Sequence, residues 1–90
     1  MPTIRIPTQL RTLTGGTGEV IVEAATVGEA LKGLDTLHPG FGERLFDDNG
    51  KLRRFVNVFV SDEDIRFLQG LDTPLDPSTT VSIIPAVAGG

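Results

Sequence analysis

The chain of 90 residues contains no cysteine, tryptophan or tyrosine, and it has a single histidine. The absence of cysteine excludes disulfides, thiolate nucleophiles and thiolate metal sites. One histidine without cysteine leaves only carboxylates for a metal site, so none is expected. His38 is expected to cap a helix C-terminus or to lie at the surface. Any reaction at this chain must therefore use a group other than a thiol or a metal ion.

Positive charge is also scarce, because 8 Lys and Arg residues face 12 Asp and Glu residues, which gives a net charge of −4. The six arginines are scattered along the chain, and this argues against a nucleic-acid binder, which needs clustered positive charge. An acidic surface favours a basic protein partner, although mild acidity also simply aids solubility. No apolar run approaches the roughly 20 residues of a membrane span, and no signal peptide precedes the first strand-like segment. We therefore expect a cytoplasmic protein that binds neither nucleic acid nor membrane.

The first half of the chain is predicted to form two strands and one helix. Residues 3–7 and 19–23 have the composition of strands, and the glycine-rich residues 14–18 between them indicate a hairpin turn. Thr26 and Glu29 have the spacing of a capping box, which predicts a helix start. The helix ends at residues 38–40. Its apolar stripe is predicted to consist of Val27, Ala30, Leu31, Leu34 and Leu37.

The second half is predicted to hold three strands after an irregular connection over residues 40–54 that includes one helical turn at 42–46. Residues 54–60 give the strongest strand signal, since nearly every position is β-branched or aromatic. An acidic turn at 61–64, a short strand at 65–68 and a last strand at 80–84 follow. The inward-facing residues are predicted to be Val56, Val58, Val60, Val81 and Ile83.

This order of elements predicts an α+β fold of the β-grasp (ubiquitin-like) type, a mixed sheet packed on one main helix. The first and last strands are expected to lie parallel in the centre of the sheet. Residues 1–85 then form the β-grasp domain, and residues 86–90 form a flexible C-terminal tail. The last strand would project that tail from a rigid body.

The acidic segments offer no convincing catalytic group. Asp62, Glu63 and Asp64 lie in a hairpin turn, where we expect them to be solvated with ordinary pKa values. The segment at residues 47–50 lacks the ligand spacing of a calcium loop and is expected to be a turn. The chain is therefore expected to be no enzyme, and the Gly90 carboxylate is the group with distinctive chemical potential.

The tail is suited to entering another protein. From Ala86 to Gly90 no side chain is larger than valine, and no charged residue follows Asp76. Glycine has no Cβ and can pass a narrow channel, and five extended residues span at most about 17 Å. A frayed terminus is the alternative, as at most chain ends. The segment predicted to thread into a partner is Ala86, Val87, Ala88, Gly89 and Gly90.

Four segments carry a resemblance to a known family: residues 42–45, 51–60, 62–67 and 81–90. They resemble the ubiquitin-like sulfur carriers, which include the small subunit of molybdopterin synthase and the thiazole-synthesis carrier. The likeness is greatest to the CysO-type carriers of thiocarboxylate-dependent cysteine biosynthesis. One departure is the turn at residues 76–79, where that family usually has Asp-Gly-Asp.

The resemblance implies that an E1-like enzyme adenylates Gly90 with ATP and that a persulfide or sulfide equivalent then converts it to a thiocarboxylate. It further implies a sulfur-accepting synthase, in the CysO-type pathway a pyridoxal-phosphate cysteine synthase that uses O-phosphoserine, and a zinc metallopeptidase that releases cysteine. Molybdopterin, thiamine and natural-product pathways are other possible destinations. ATP and pyridoxal phosphate belong to these partners, and the chain itself is expected to bind no cofactor.

The surface predicted to dock onto these partners lies on the sheet face away from the helix. It consists of Phe55, Phe59 and Ile84, with Arg5 on the neighbouring strand as an ionic contact. The alternative is that the 40–54 connection covers both phenylalanines. Two other functions stay open: a ubiquitin-like modifier that forms isopeptide bonds through Gly90, and a permanent small subunit of a synthase.

Overall fold

The computed structural model describes residues 1–85 and shows a five-stranded mixed sheet packed on a main helix. The predicted tail, residues 86–90, lies outside the described residues. Short 3-10 helices cover Thr8–Thr14, Ile65–Phe67 and Gly70–Asp72. The regular elements are β1 (Thr3–Arg5), β2 (Glu19–Ile21), α1 (Val27–Leu37), α2 (Phe41–Leu45), β3 (Val56–Val60), β4 (Glu63–Asp64) and β5 (Thr80–Pro85).

The order of strands in the sheet is β2-β1-β5-β3-β4. β1 pairs antiparallel with β2 and parallel with β5, while β3 pairs antiparallel with both β5 and β4. The predicted parallel contact between first and last strands is confirmed, and so is the β-grasp fold class. β5 is hydrogen-bonded on both sides, which fixes the position at which it ends.

The apolar stripe of α1 fills the space against the sheet, with one exception. Val27, Ala30, Leu31 and Leu34 are all 0% exposed, but Leu37 is 57% exposed. The prediction for Leu37 was wrong because a helix turns by roughly 100° per residue. Leu37 therefore lies about 70° from the centre of the stripe, at the last residue of α1. On the sheet, Val81 and Ile83 are buried as predicted, as are Val56 and Val58, while Val60 is only partly buried.

The start of α1 is capped nearly as predicted. The hydroxyl oxygen of Thr26 accepts a hydrogen bond from the Glu29 amide at 3.2 Å. The Glu29 carboxylate reaches back to the amide of Ala25, at 3.1 Å, rather than to that of Thr26. The helix ends where expected, because the His38 amide donates to the carbonyl of Leu34 as its C-terminal cap.

The connection predicted as irregular contributes more to the core than expected. Phe41 and Leu45 of α2 are 0% exposed, so the single helical turn is a packed element. The Asp35 carboxylate accepts hydrogen bonds from the amides of Gly42, at 2.8 Å, and Gly40, at 3.2 Å. This side chain of α1 therefore caps the start of α2 and holds the two helices together.

The strand predicted at residues 65–68 was wrong. Residues Ile65–Phe67 form a 3-10 helix, and the fourth strand is the shorter β4 just before it. Ser61 and Asp62 adopt positive φ angles of 49° and 73°, which makes the turn after β3 tight. The Asp64 carboxylate then accepts from the Arg66 amide at 2.9 Å and starts the 3-10 helix. The 3-10 helix over Thr8–Thr14 was also not predicted.

Candidate functional site

The end of β5 is the point from which the predicted tail begins. Pro85 pairs with Val56 at the start of β3, and the parallel β1 ends on the other side of β5. The departure of residues 76–79 from the family pattern leaves β5 intact, since the Thr79 amide donates to the Asp76 carbonyl at 3.0 Å and closes a turn. Gly90 and the rest of the predicted threading segment lie outside the described residues. The candidate site within residues 1–85 is therefore the surface around Pro85.

Two shallow grooves flank Pro85, and both are lined by Pro85 and Gln9. The first groove lies toward β3 and α2, with Phe55, Arg44 and Arg53 in its walls. The second lies toward β1, and its lining includes Arg5, Arg11 and Ile84. We call Arg5, Arg11, Arg44 and Arg53 together the arginine rim.

The arginine rim corrects the expectation that the arginines are scattered. They come from two distant stretches of the sequence, 5–11 and 44–53, but β1, the 3-10 helix after it, α2 and the segment before β3 all meet at the end of β5. Glu43 is the one acidic residue among the described residues that line the two grooves. Sequence reasoning missed this rim because no motif marks it, and only the strand order brings the residues together.

Two of the four guanidinium groups are fixed by backbone contacts. The Nε atom of Arg11 donates to the carbonyl of Ile6 at 3.0 Å, and that of Arg53 donates to the carbonyl of Glu43 at 3.1 Å. Gly18 makes room for Arg11, since a Cβ at Gly18 would lie 3.2 Å from the Arg11 Cζ atom. Both of these backbone contacts use Nε alone, so they leave the four terminal N–H donors of each guanidinium group for other partners.

Three of the residues predicted as a docking surface, Arg5, Phe59 and Ile84, lie on the face of the sheet away from α1, whereas Phe55 lies in the turn before β3 and lines the first groove. Phe55 and Ile84 are each 50% exposed, and Arg5 is also exposed. Phe59 is half-buried and pairs across the strands with Ser82, which in turn pairs with Arg5. The 40–54 connection thus leaves half of the Phe55 side chain accessible. Their role in docking stays a prediction.

Asp64 departs from the expectation of a solvated acid with an ordinary pKa. Its side chain is only 10% exposed and forms an ion pair with Arg66 at 2.7 Å. The side-chain hydrogen bond from Arg66, followed by that from the Arg66 amide, holds the pKa of the Asp64 carboxyl below its usual value. Arg66 also donates to the side-chain oxygen of Asn57, which links the 3-10 helix Ile65–Phe67 to β3. Asp62 and Glu63 are exposed, as predicted.

The remaining candidates behave as structural groups. The Asp47 carboxylate accepts from the amides of Lys51 and Asn49, which makes residues 47–50 the predicted turn; the bond from Lys51 is the main cause that lowers the pKa of Asp47. Within residues 1–85, no group of three or more histidine or acidic side chains could hold a metal ion. The same part of the chain has no helix long and apolar enough to cross a bilayer.

Comparison with known proteins gives matches that cover between 73% and 100% of this chain. The profile of the ThiS family matches residues 4–90. The chain is 47% identical over 90 residues to the sulfur carrier protein CysO of Mycobacterium tuberculosis, covering 98% of this chain and 97% of that protein. It is also 39% identical over 66 residues to small archaeal modifier protein 3 of Haloferax volcanii, covering 73% and 71% of the two chains. Among solved structures, the Amycolatopsis orientalis BexX/CysO complex contains a chain with 46% identity, full coverage of both chains and a TM-score of 0.93.

Proposed function

The chain belongs to the ThiS family of ubiquitin-like sulfur carriers, and from this membership we propose that the Gly90 carboxylate is the atom group that carries sulfur. In this proposal the chain is a protein cosubstrate rather than a catalyst. An E1-like enzyme activates it, and a sulfur-accepting synthase consumes the cargo.

The observation that carries this proposal is the place where the central strand ends. β5 is hydrogen-bonded to β1 and β3 and ends at Pro85, five residues before Gly90. Five residues reach at most about 17 Å. The proposed reacting carboxylate is thus tethered closely to a rigid body, and small side chains at residues 86–90 suit a narrow channel.

The proposed chemistry activates a carboxylate that is otherwise a poor electrophile. An oxygen of Gly90 attacks the α-phosphorus of ATP, and pyrophosphate leaves, so that an acyl adenylate forms. Sulfide attacks the carbonyl carbon of that adenylate, a C–S bond forms, and the C–O bond to AMP breaks. The product is a thiocarboxylate, and no oxidant or reductant is consumed. ATP is used by the activating partner and is not held by this chain.

We propose cysteine biosynthesis as the destination of the sulfur, because the likeness to CysO spans nearly the whole of both chains. The acceptor would then be a pyridoxal-phosphate synthase that uses O-phosphoserine, and a zinc metallopeptidase would release cysteine from the carrier. A CysO chain of Amycolatopsis orientalis forms a complex with BexX. This precedent supports a carrier that forms a complex with a protein partner.

The proposed docking surface is formed by Phe55, Phe59, Ile84 and Arg5. The exposed halves of Phe55 and Ile84 lie near the end of β5, where an enzyme that holds the tail must approach. Apolar side chains at such a place contribute to binding when a partner covers them.

The direct test is the intact mass of the protein after incubation with the activating enzyme of the same organism, ATP and sulfide. We expect one oxygen at the C-terminus to be replaced by sulfur, and fragmentation should place the change at Gly90. The Gly90→Ala variant should melt at the same temperature as the original chain but should lose most of this conversion. An unchanged mass of the original chain with active enzyme present would refute the carrier chemistry.

A second candidate function is favoured by the likeness to small archaeal modifier protein 3. In that case Gly90 would form isopeptide bonds with lysine side chains of other proteins. Such conjugates would appear as higher-mass species that survive boiling in reductant and that disappear when Gly90 is deleted. Conjugates without any thiocarboxylate intermediate would favour the modifier over the carrier.

A further inference from the structure

We propose that the arginine rim binds an acidic surface at the entrance to the active site of the activating enzyme. The inference rests on the proposed function, because it assigns a partner surface to the same end of the molecule. It replaces the expectation from net charge alone that the partner surface is basic.

The first support is the distribution of charge along β5. Four arginines line the two grooves at the strand's C-terminal end, where Glu43 is the one acidic residue among the described lining residues. Arg5 lies farthest from that end, since it pairs with Ser82 and also lines a groove with Glu19 and Asp62. The opposite end of the sheet is acidic and exposed, with Asp62 and Glu63 after β3 and Asp76 before β5. A net charge of −4 therefore conceals a molecule with a positive end and a negative end.

The second support is that the rim is available for an external anion. Within residues 1–85 the ion pair that forms is Arg66–Asp64, and no rim arginine takes part in one. Arg11 and Arg53 are held by their Nε hydrogen bonds, so part of the entropy cost of fixing them is already met. Fixed guanidinium groups whose terminal N–H donors have no hydrogen-bond partner among residues 1–85 suit bidentate carboxylate recognition.

The length of the tail distinguishes an acidic protein surface from a nucleotide phosphate. Gly90 must lie at the reacting phosphate during adenylation, and the rim surrounds Pro85, five residues away. A tail extended through a channel places these two points up to about 17 Å apart. The arginines then lie at the channel entrance, where carboxylates of the enzyme are the anions within reach.

Such a rim should raise the rate at which the carrier associates with the activating enzyme. Complementary charges at the edge of an interface steer the encounter and raise the association rate, and salt screens this effect. The rim should therefore act on the KM for the carrier protein, while the maximal rate of adenylation and the KM for ATP should not depend on it.

The test compares adenylation kinetics of two double variants with those of the original chain. The variants are Arg44→Gln with Arg53→Gln, and Arg5→Gln with Arg11→Gln, so that each removes one side of the rim. We expect the KM for the carrier to rise about 5- to 30-fold in each at low salt, with kcat unchanged and with a weaker dependence on salt. Lys32→Gln with Lys51→Gln is the matched control, because it also removes two positive charges but from residues outside the two grooves, and it should leave the KM within about twofold.

A second measurement tests whether the rim binds an acidic chain, even if the enzyme does not adenylate the protein at all. Hexaglutamate is added to the ¹⁵N-labelled protein at low ionic strength, and amide shifts are followed by NMR. Shifts confined to the surroundings of the arginine rim and reduced in each double variant would support the rim, whereas shifts that are absent or spread over the whole surface would refute it. A change in the KM for ATP instead of that for the carrier would show phosphate binding and would also overturn the proposal.

Discussion

Single side chains in this protein show how much a local contact can change a residue's expected behaviour. The sequence predicts Asp62, Glu63 and Asp64 to be alike, since all three lie in one acidic turn. In the structure Asp64 is nearly buried and paired with Arg66, while its two neighbours are exposed. The difference arises from the tight turn at Ser61 and Asp62, whose positive φ angles could not be predicted for residues other than glycine.

The Asp64–Arg66 pair leads to a prediction about acid stability. The Asp64→Asn variant should be less stable than the original chain at pH 7, because it loses the carboxylate that Arg66 binds at 2.7 Å. The pKa of Asp64 is lower in the folded chain than in the unfolded chain. The Asp64 carboxylate therefore makes its full contribution to the free energy of unfolding above the unfolded pKa of about 3.9. That contribution is lost as the pH falls through the pKa of Asp64 in the folded chain.

Urea unfolding between pH 7 and pH 2 measures this effect. The two stability curves should converge at the acid end of the range. Asp62→Asn is the matched control, because it removes the same charge from an exposed side chain in the same turn. A constant difference between the Asp64→Asn variant and the original chain over the whole range would contradict the ionic origin of the contribution.

Among the secondary-structure elements, α1 was predicted best, the helical turn after it was predicted but not its packing, and the strand at residues 65–68 was wrong. The capping residue Thr26 and the stripe from Val27 to Leu34 follow directly from helical spacing. The packing of α2 depends instead on Asp35, which accepts hydrogen bonds from the amides of Gly40 and Gly42. A contact between a helix side chain and the backbone of a later loop has no periodic signature, so the sequence alone could not reveal it.

Two leucines of α1 provide a test of how the helix packs. Leu34→Ala should lower the free energy of unfolding by about 2–5 kcal/mol, because Leu34 is 0% exposed and the truncation leaves a cavity. Leu37→Ala makes the same chemical change at a side chain that is 57% exposed. Its free energy of unfolding should stay within about 0.5 kcal/mol of that of the original chain. Equal losses in thermal or urea unfolding would show that Leu37 is packed after all.

In the molecule as a whole, the strand order determines both the core and the candidate site. The β-grasp class was predictable because the order of elements and the strong signals of β3 and β5 favour a single mixed sheet. The arginine rim was not predictable, since Arg5, Arg11, Arg44 and Arg53 belong to four different segments. Such a surface exists only after the chain has folded.

Substitutions at two consecutive residues of β5 should have different effects, one on folding and the other on partner binding. Ile83 is 2% exposed and faces the core, whereas Ile84 is 50% exposed on the other face. Ile83→Ala should lower the free energy of unfolding by about 2–5 kcal/mol, and its folded fraction should still be adenylated with an unchanged KM. Ile84→Ala should leave thermal unfolding nearly unchanged, because the side chain contributes little to the core. It should instead raise the KM of the activating enzyme for the carrier about fivefold or more, as expected for an apolar contact covered in the complex. An unchanged KM for Ile84→Ala would remove Ile84 from the docking surface, while a large loss of stability would show that its exposed face supports the fold.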